Sequence, residues 1–110
     1  MNDELNPKKI NDPLQIILGN IHLIKNNSDE TEKKIKFLEA IDEAVDKITQ
    51  ISDKLPNLKD KLSDSLLVIK GATYLIRTNP EKTPETLNII KNAVNKITQI
   101  LKSTDDELSS

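Results

Sequence analysis

The sequence predicts an all-α fold, an antiparallel up-down-up-down four-helix bundle made of two copies of one helical hairpin. Three observations predict it. Apolar residues recur at steps of three and four along four segments, which lays them on one face of a helix. The chain repeats itself in order, hairpin after hairpin. Among 110 residues there are one Phe, one Tyr and no Trp, so the core must be aliphatic; two Gly and five Pro near segment ends leave few turns for a strand-rich fold.

The first segment carries Ile10, Leu14, Ile17, Ile21 and Ile24. Asp12-Pro13 can cap it, with proline at the first helical position, or Pro13 can sit inside a helix begun near Pro7. Asn26-Asn27-Ser28 ends it. The second segment has Ile35, Leu38, Ile41, Val45, Ile48, then Ile51 or Ser52, and Leu55, and Asp29 with Glu32 has the spacing of a capping box. Pro56-Asn57 separates it from the third, which has Leu58, Leu62, Leu66, Ile69, Thr73 and Ile76. Thr78-Asn79-Pro80 stops that helix. Thr83-Pro84-Glu85 opens the fourth with a cap, a proline and an acid at the positive end of the helix dipole, followed by Leu87, Ile90, Val94, Ile97 and Leu101. The acidic tail, residues 103–110, is expected to fray.

Residues 8–25 match 60–77 at an offset of 52, with Lys9/Lys61, Asp12/Asp64, Leu14/Leu66, Ile17/Ile69, Gly19/Gly71, Leu23/Leu75 and Ile24/Ile76 identical. Residues 44–51 match 93–100 at an offset of 49, with seven of eight identical. The change of offset makes the second hairpin's turn three residues shorter. Helical periodicity alone would not reproduce a glycine and an eight-residue block, so the chain reads as a duplication. Its hairpins are residues 7–55 and 58–102. Neither buries enough to stand alone, so they are expected to close on each other within one domain. The short connection between them favours a monomer, with a dimer that exchanges hairpins as the alternative.

A net charge of −2 and the near absence of aromatics give no general attraction to nucleic acid. The same charge gives none to an anionic membrane surface. No Cys excludes a disulfide framework and a thiolate metal site. The polar start, Met1 to Pro7, is unlike a secretory signal, and no apolar run nears the ~18 residues a membrane span needs. The expected setting is the cytoplasm, with no cofactor.

The stretch Lys8-Lys9-Ile10-Asn11-Asp12-Pro13-Leu14, with Gly19 beyond it, resembles the phosphoacceptor motif of sensor histidine kinases. In that family a helix carries His-Glu-aliphatic-(Asn or Arg)-(Asn or Thr)-Pro-Leu, and a second helix returns with a block like Ala44-Val45-Asp46-Lys47-Ile48. Both parts occur twice here, over about nine-tenths of the chain. The resemblance places Lys8 and Asp60 where the family has its phosphoacceptor histidine, and Lys9 and Lys61 where it has the assisting acid. Ser65 replaces the proline in the second copy. Lysine is no nucleophile while protonated, and Asp60 lacks the acidic cluster and metal that phosphorylated aspartates need. Two glycines cannot supply an ATP-binding domain or a phosphate-cradling loop. No enzymatic activity is expected. What the resemblance implies is a binding module that presents Lys8, Asn11, Asp12 and Gln15, with Asp60, Ser63, Asp64 and Leu67 as second-copy equivalents, to a response regulator receiver domain or a histidine kinase.

Two other readings stay open. His22, the sole histidine, lies 14 residues after Lys8 and so about 40° from the same helix face, where phosphotransfer through it is conceivable. It matches Tyr74 and has no acid four residues away, so an ordinary surface histidine is the simpler reading. The bundle can also be a scaffold for oligomerisation or for an unrelated helix. Glu39, Asp42, Glu43 and Asp46 read as a solvated acidic face rather than metal ligands, since Lys47 offsets Glu43 and the second copy has Asn92 and Asn95. Thr49-Gln50 and Thr98-Gln99 mark either a polar layer or the duplication alone. Gly19 and Gly71, each costing on the order of 1 kcal/mol in a helix interior, suggest a close helix approach or retained geometry.

Overall fold

The computed structural model describes residues 7–27 and 29–109, the stretch 104–109 by its backbone alone. The expectations that rest on Met1–Asn6, Ser28 and Ser110 lie outside these residues. Four helices follow one another: α1 (Asn11–Asn26), α2 (Thr31–Asp53), α3 (Pro56–Thr78) and α4 (Thr83–Ser109). Short 3-10 turns at Pro7–Ile10 and Pro80–Lys82 lead into α1 and α4.

The described chain measures 48 × 21 × 19 Å, a rod two helices wide in each direction. Consecutive helices pack side by side, and α4 returns against α1 to close the ring. Ion pairs between α2 and α3 fix their direction: Asp53 meets Lys59, Asp46 meets Lys70 and Asp42 meets Arg77. As the number falls on α2 it rises on α3, so the two run antiparallel. At the other seam Pro7, Lys8 and Asn11 lie beside Thr98, Leu101 and Lys102, so the start of α1 meets the end of α4. The α1–α4 seam is the most lightly packed of the four.

The stripes predicted from spacing form the core. Ile17 and Ile69, Ile41 and Ile90, Val45 and Val94, and Ile48 and Ile97 are repeat partners, and all are 0% exposed. Thr73 and Ser52 join this interior as polar members, each with its hydroxyl bonded, and among the described residues no buried side-chain nitrogen or oxygen lacks a partner. Ile35, read as a core position, is instead exposed at the open start of α2. The shorter second turn is visible directly. Four residues, 27–30, separate α1 from α2, whereas Asn79 alone separates α3 from the helical stretch that begins at Pro80.

Several ends differ from the sequence reading. Asp12 does not cap α1. As the other reading of this start has it, helical backbone already runs from Pro7; the 3-10 turn gives way to α geometry between Ile10 and Asn11, and Pro13, within the first α turn, cannot donate to the Lys9 carbonyl. Asp29 and Glu32 form no capping box, because the residue before α2 is Glu30, whose side chain makes no capping bond. Thr83 is already helical, and its hydroxyl donates back to the Pro80 carbonyl. The α4 backbone runs from Thr83 to Ser109, with Pro84 in its first turn. No described helix is long and apolar enough to cross a membrane.

Candidate functional site

The duplication creates two equivalent grooves where the start of one helix meets the end of another. The first lies on the α1–α4 seam, about 280 Å³ in volume, between Pro7, Lys8 and Asn11 and the facing Thr98, Leu101 and Lys102. The second lies on the α2–α3 seam, about 210 Å³, where Thr49, Ser52 and Asp53 face Lys59, Ser63 and Leu67. The repeat offsets superimpose them: Pro7 on Lys59, Asn11 on Ser63, Thr98 on Thr49, Leu101 on Ser52 and Lys102 on Asp53. Even the local bonds repeat, the Thr49 hydroxyl donating to the Val45 carbonyl at 2.9 Å and Thr98 to Val94 at 3.0 Å. Of the Thr-Gln pairs, the threonines, Thr49 and Thr98, therefore line the two grooves.

The two grooves differ in charge. In the second, Lys59 Nζ lies 3.5 Å from Asp53 Oδ1, and Lys70 Nζ lies 2.8 Å from Asp46 Oδ1, so its cations are matched by carboxylates within the seam. Among the described residues, two lysines, Lys8 and Lys102, line the first groove beside Pro7, Asn11, Thr98 and Leu101.

Of the residues singled out from sequence, Lys8 and Asn11 line the first groove, while Asp12 and Gln15 are exposed farther along the same helix. Ser63 and Leu67 line the second groove, Asp60 is exposed beside them, and Asp64 borders a separate groove with Val68, Ile89 and Lys96. The two sets occupy the same end of the bundle on diagonal helices, with α2 and α4 between them. They do not form one surface.

Compared with known protein families, with curated proteins and with solved structures, this chain matches none. His22 is exposed about 21 Å along α1 from Lys8 and outside the groove, its Nε2 at 3.1 Å from the Asn26 amide nitrogen. No group of three or more His, Cys, Asp or Glu placed to hold a metal occurs among the described residues.

Asp42 is the residue that sequence reading misplaced. It lies half-buried, rather than on a freely solvated face, and joins the two hairpins. Its Oδ1 lies 2.8 Å from the hydroxyl of buried Thr73, and its Oδ2 lies 2.9 Å from Arg77 Nη2. A run of acids on one helix looks solvated when its cations, Lys70 for Asp46 and Arg77 for Asp42, lie on another helix far along the sequence. The equivalent positions on the other seam are Lys91, Ile21 and Lys25, so the clasp exists on one seam only.

The Lys70 ammonium is held above the ordinary lysine range, chiefly by its hydrogen bond to Asp46, with the Asp46 and Asp42 charges adding to this and desolvation opposing it. A group raised on folding contributes stability that is complete below its unfolded pKa and is lost as pH climbs through the folded value. Alkaline melts are therefore expected to show a small loss of stability above the ordinary lysine range. The variant Lys70→Met should lack that increment, and an unchanged alkaline limb in Lys70→Met would contradict the assignment.

Proposed function

We propose that this chain is a non-catalytic, signalling-type binding module, a degenerate single-chain counterpart of the histidine kinase phosphoacceptor bundle. It docks a receiver domain through the α1–α4 groove. One observation carries the reading: of two grooves related by the duplication, one brings Lys8, which the resemblance sets at the phosphoacceptor histidine's place, beside a second lysine, Lys102. A receiver domain presents an acidic cluster around its phosphorylated aspartate, and an ammonium can satisfy those carboxylates as a phosphoryl donor's surroundings would, without offering a nucleophile. Opposite charges across such an interface speed encounter and fix register. Asn11 and Thr98 supply short polar groups beside Lys8, and Leu101 supplies an apolar floor. The reading places the protein in the cytoplasm, where receiver domains act.

The test is calorimetric titration against purified receiver domains from the same genome. One of them is expected to bind, and the double variant Lys8→Glu/Lys102→Glu is expected to weaken that complex about ten-fold or more at low salt. Ser63→Glu, in the second groove, should leave it within about two-fold, as a substitution outside the interface does. Absence of a complex with every receiver, or equal losses from the two grooves, would refute the reading.

A further inference from the structure

The solvent side of α3 carries an apolar stripe that no packing among the described residues explains. Leu67 is 71% exposed and Tyr74 64%, with Val68 at 45% and Leu75 at 44%. On a helical wheel Asp60, Asp64, Gly71 and Thr78 fall within about 20° of one line pointing away from the core. Leu67 and Tyr74 flank that line on one side and Val68 and Leu75 on the other, each within about 60°. Gly71 sits at the centre. The sequence suggested that the two glycines mark a close approach of helices within the bundle; they do not, since a Cβ at Gly71 or Gly19 would meet nothing within 4 Å. A mid-helix glycine on the outermost line of α3, between four exposed apolar side chains, has no role inside the monomer.

We propose that this face is a self-association surface, on which α3 of a second copy packs antiparallel about a two-fold axis at Gly71. Three features select a second copy. The stripe is self-complementary: in the antiparallel register Leu67 meets Tyr74 of the second copy, Val68 meets Leu75 of the second copy, and each contact occurs twice. The missing Cβ of Gly71 falls where two helix backbones would cross most closely.

The charges are self-complementary as well. Exposed Asp60 and Asp64 lie on this face at the start of α3, while exposed Lys82 lies in the 3-10 turn packed against its far end. Antiparallel pairing about Gly71 brings Asp60 of one copy level with Lys82 of the other; parallel pairing would set each acid beside its own copy. The equivalent face of α1 is poorer, because Gln15 and His22 stand where α3 has Leu67 and Tyr74. The apolar area offered is on the order of 400 Å² per copy, about half of what a stable interface buries per partner, so the dimer is of the weak, concentration-dependent kind. The α1–α4 groove lies diagonally across the bundle and stays uncovered in this dimer.

Sedimentation equilibrium over a concentration series tests the proposal, with thermal melts as the control for folding. The wild type is expected to pass from monomer to dimer. The variant Leu67→Lys/Tyr74→Lys is expected to weaken the dimer about ten-fold or more while melting as the wild type does, since both residues are exposed. Gly71→Lys should also abolish the dimer, by setting two ammonium groups together at the axis, yet melt no lower than the wild type because the side chain has open space in the monomer. The chain has no cysteine, so a Gly71→Cys variant should oxidise to a disulfide-linked dimer, whereas Gly19→Cys should not. A chain that stays monomeric to millimolar concentration overturns the proposal. So does a dimer that survives both α3 variants, or one lost only with Ile16→Lys/Leu23→Lys on α1. Receiver binding is read in a separate titration, so either proposal can fail alone.

Discussion

Replacing Ile69 by alanine is expected to lower the free energy of unfolding by about 3 kcal/mol, within the usual span for a buried isoleucine cut to alanine. Ile69 is 0% exposed on α3, and its repeat partner Ile17 is 0% exposed on α1. A bundle whose halves are copies of one hairpin makes nearly the same contacts at both sites, so Ile17→Ala should also destabilise by roughly 2–3 kcal/mol. The two losses should not be identical. The cost of a cavity depends on how far the surroundings can collapse into it, and α1 packs more lightly on α4 than α3 does. Ile17→Ala should therefore be the milder change. Urea unfolding of both variants, with unchanged slopes, measures the difference. A loss under about 1 kcal/mol at Ile69, or a clearly larger loss at Ile17, would contradict this account of the core. For a domain with total stability on the order of 5–15 kcal/mol, either change is a large fraction.

What could be read from the sequence follows the distance over which each feature is encoded. The four stripes are local: a side chain's place on a helix depends only on its spacing from neighbours, and Leu14, Ile17, Ile21 and Ile24 are buried as that spacing requires. The three-residue difference between the turns is likewise local and is visible at Asn79. Ends of helices were harder. Asp12, Asp29 and Thr83 have residue types that favour capping, but 3-10 turns before α1 and α4 extend helical backbone past two of these positions, and the start of α2 falls one residue beyond Glu30. Of the two readings of Gly19 and Gly71 the close approach fails, because an open helix face and a crowded one look the same in a pattern of residue types.

The grooves lay further out of reach. Lys8 and Asn11 were identified through resemblance, and their neighbours on the first helix are where spacing puts them. Nothing in one hairpin says that Thr98, Leu101 and Lys102 complete the groove, because that depends on the stagger of α4 against α1. Charge asymmetry between the grooves becomes meaningful only when the duplication and the stagger are combined. Asp53 pairs with Lys59 on one seam, while their repeat partners on the other are Lys102 and Pro7.

The variant Asp42→Ala is expected to cost about 1–2 kcal/mol, more than a surface acid normally would. Asp42 and Arg77 side chains are only 30% and 33% exposed, and the same carboxylate receives the hydroxyl of Thr73, which is 1% exposed. Truncation leaves the Thr73 hydroxyl with only the Lys70 carbonyl at 2.9 Å and leaves the guanidinium partly buried without its carboxylate. The other seam shows how such a position is filled without the clasp: the equivalent of Thr73 is Ile21, which is buried. Adding Thr73→Ile to Asp42→Ala should therefore recover part of the loss, because an apolar side chain replaces the hydroxyl that lost one of its two acceptors, while Arg77 stays without its carboxylate. The double-mutant cycle is measured by urea unfolding. Additive losses would show that Thr73 and Asp42 act separately and that Arg77 alone holds the carboxylate. Coupled losses would assign to this triad the closure of the α2–α3 seam. The α1–α4 seam, where Lys91 and Lys25 stand at the equivalent positions, has no such triad and is the more lightly packed of the two.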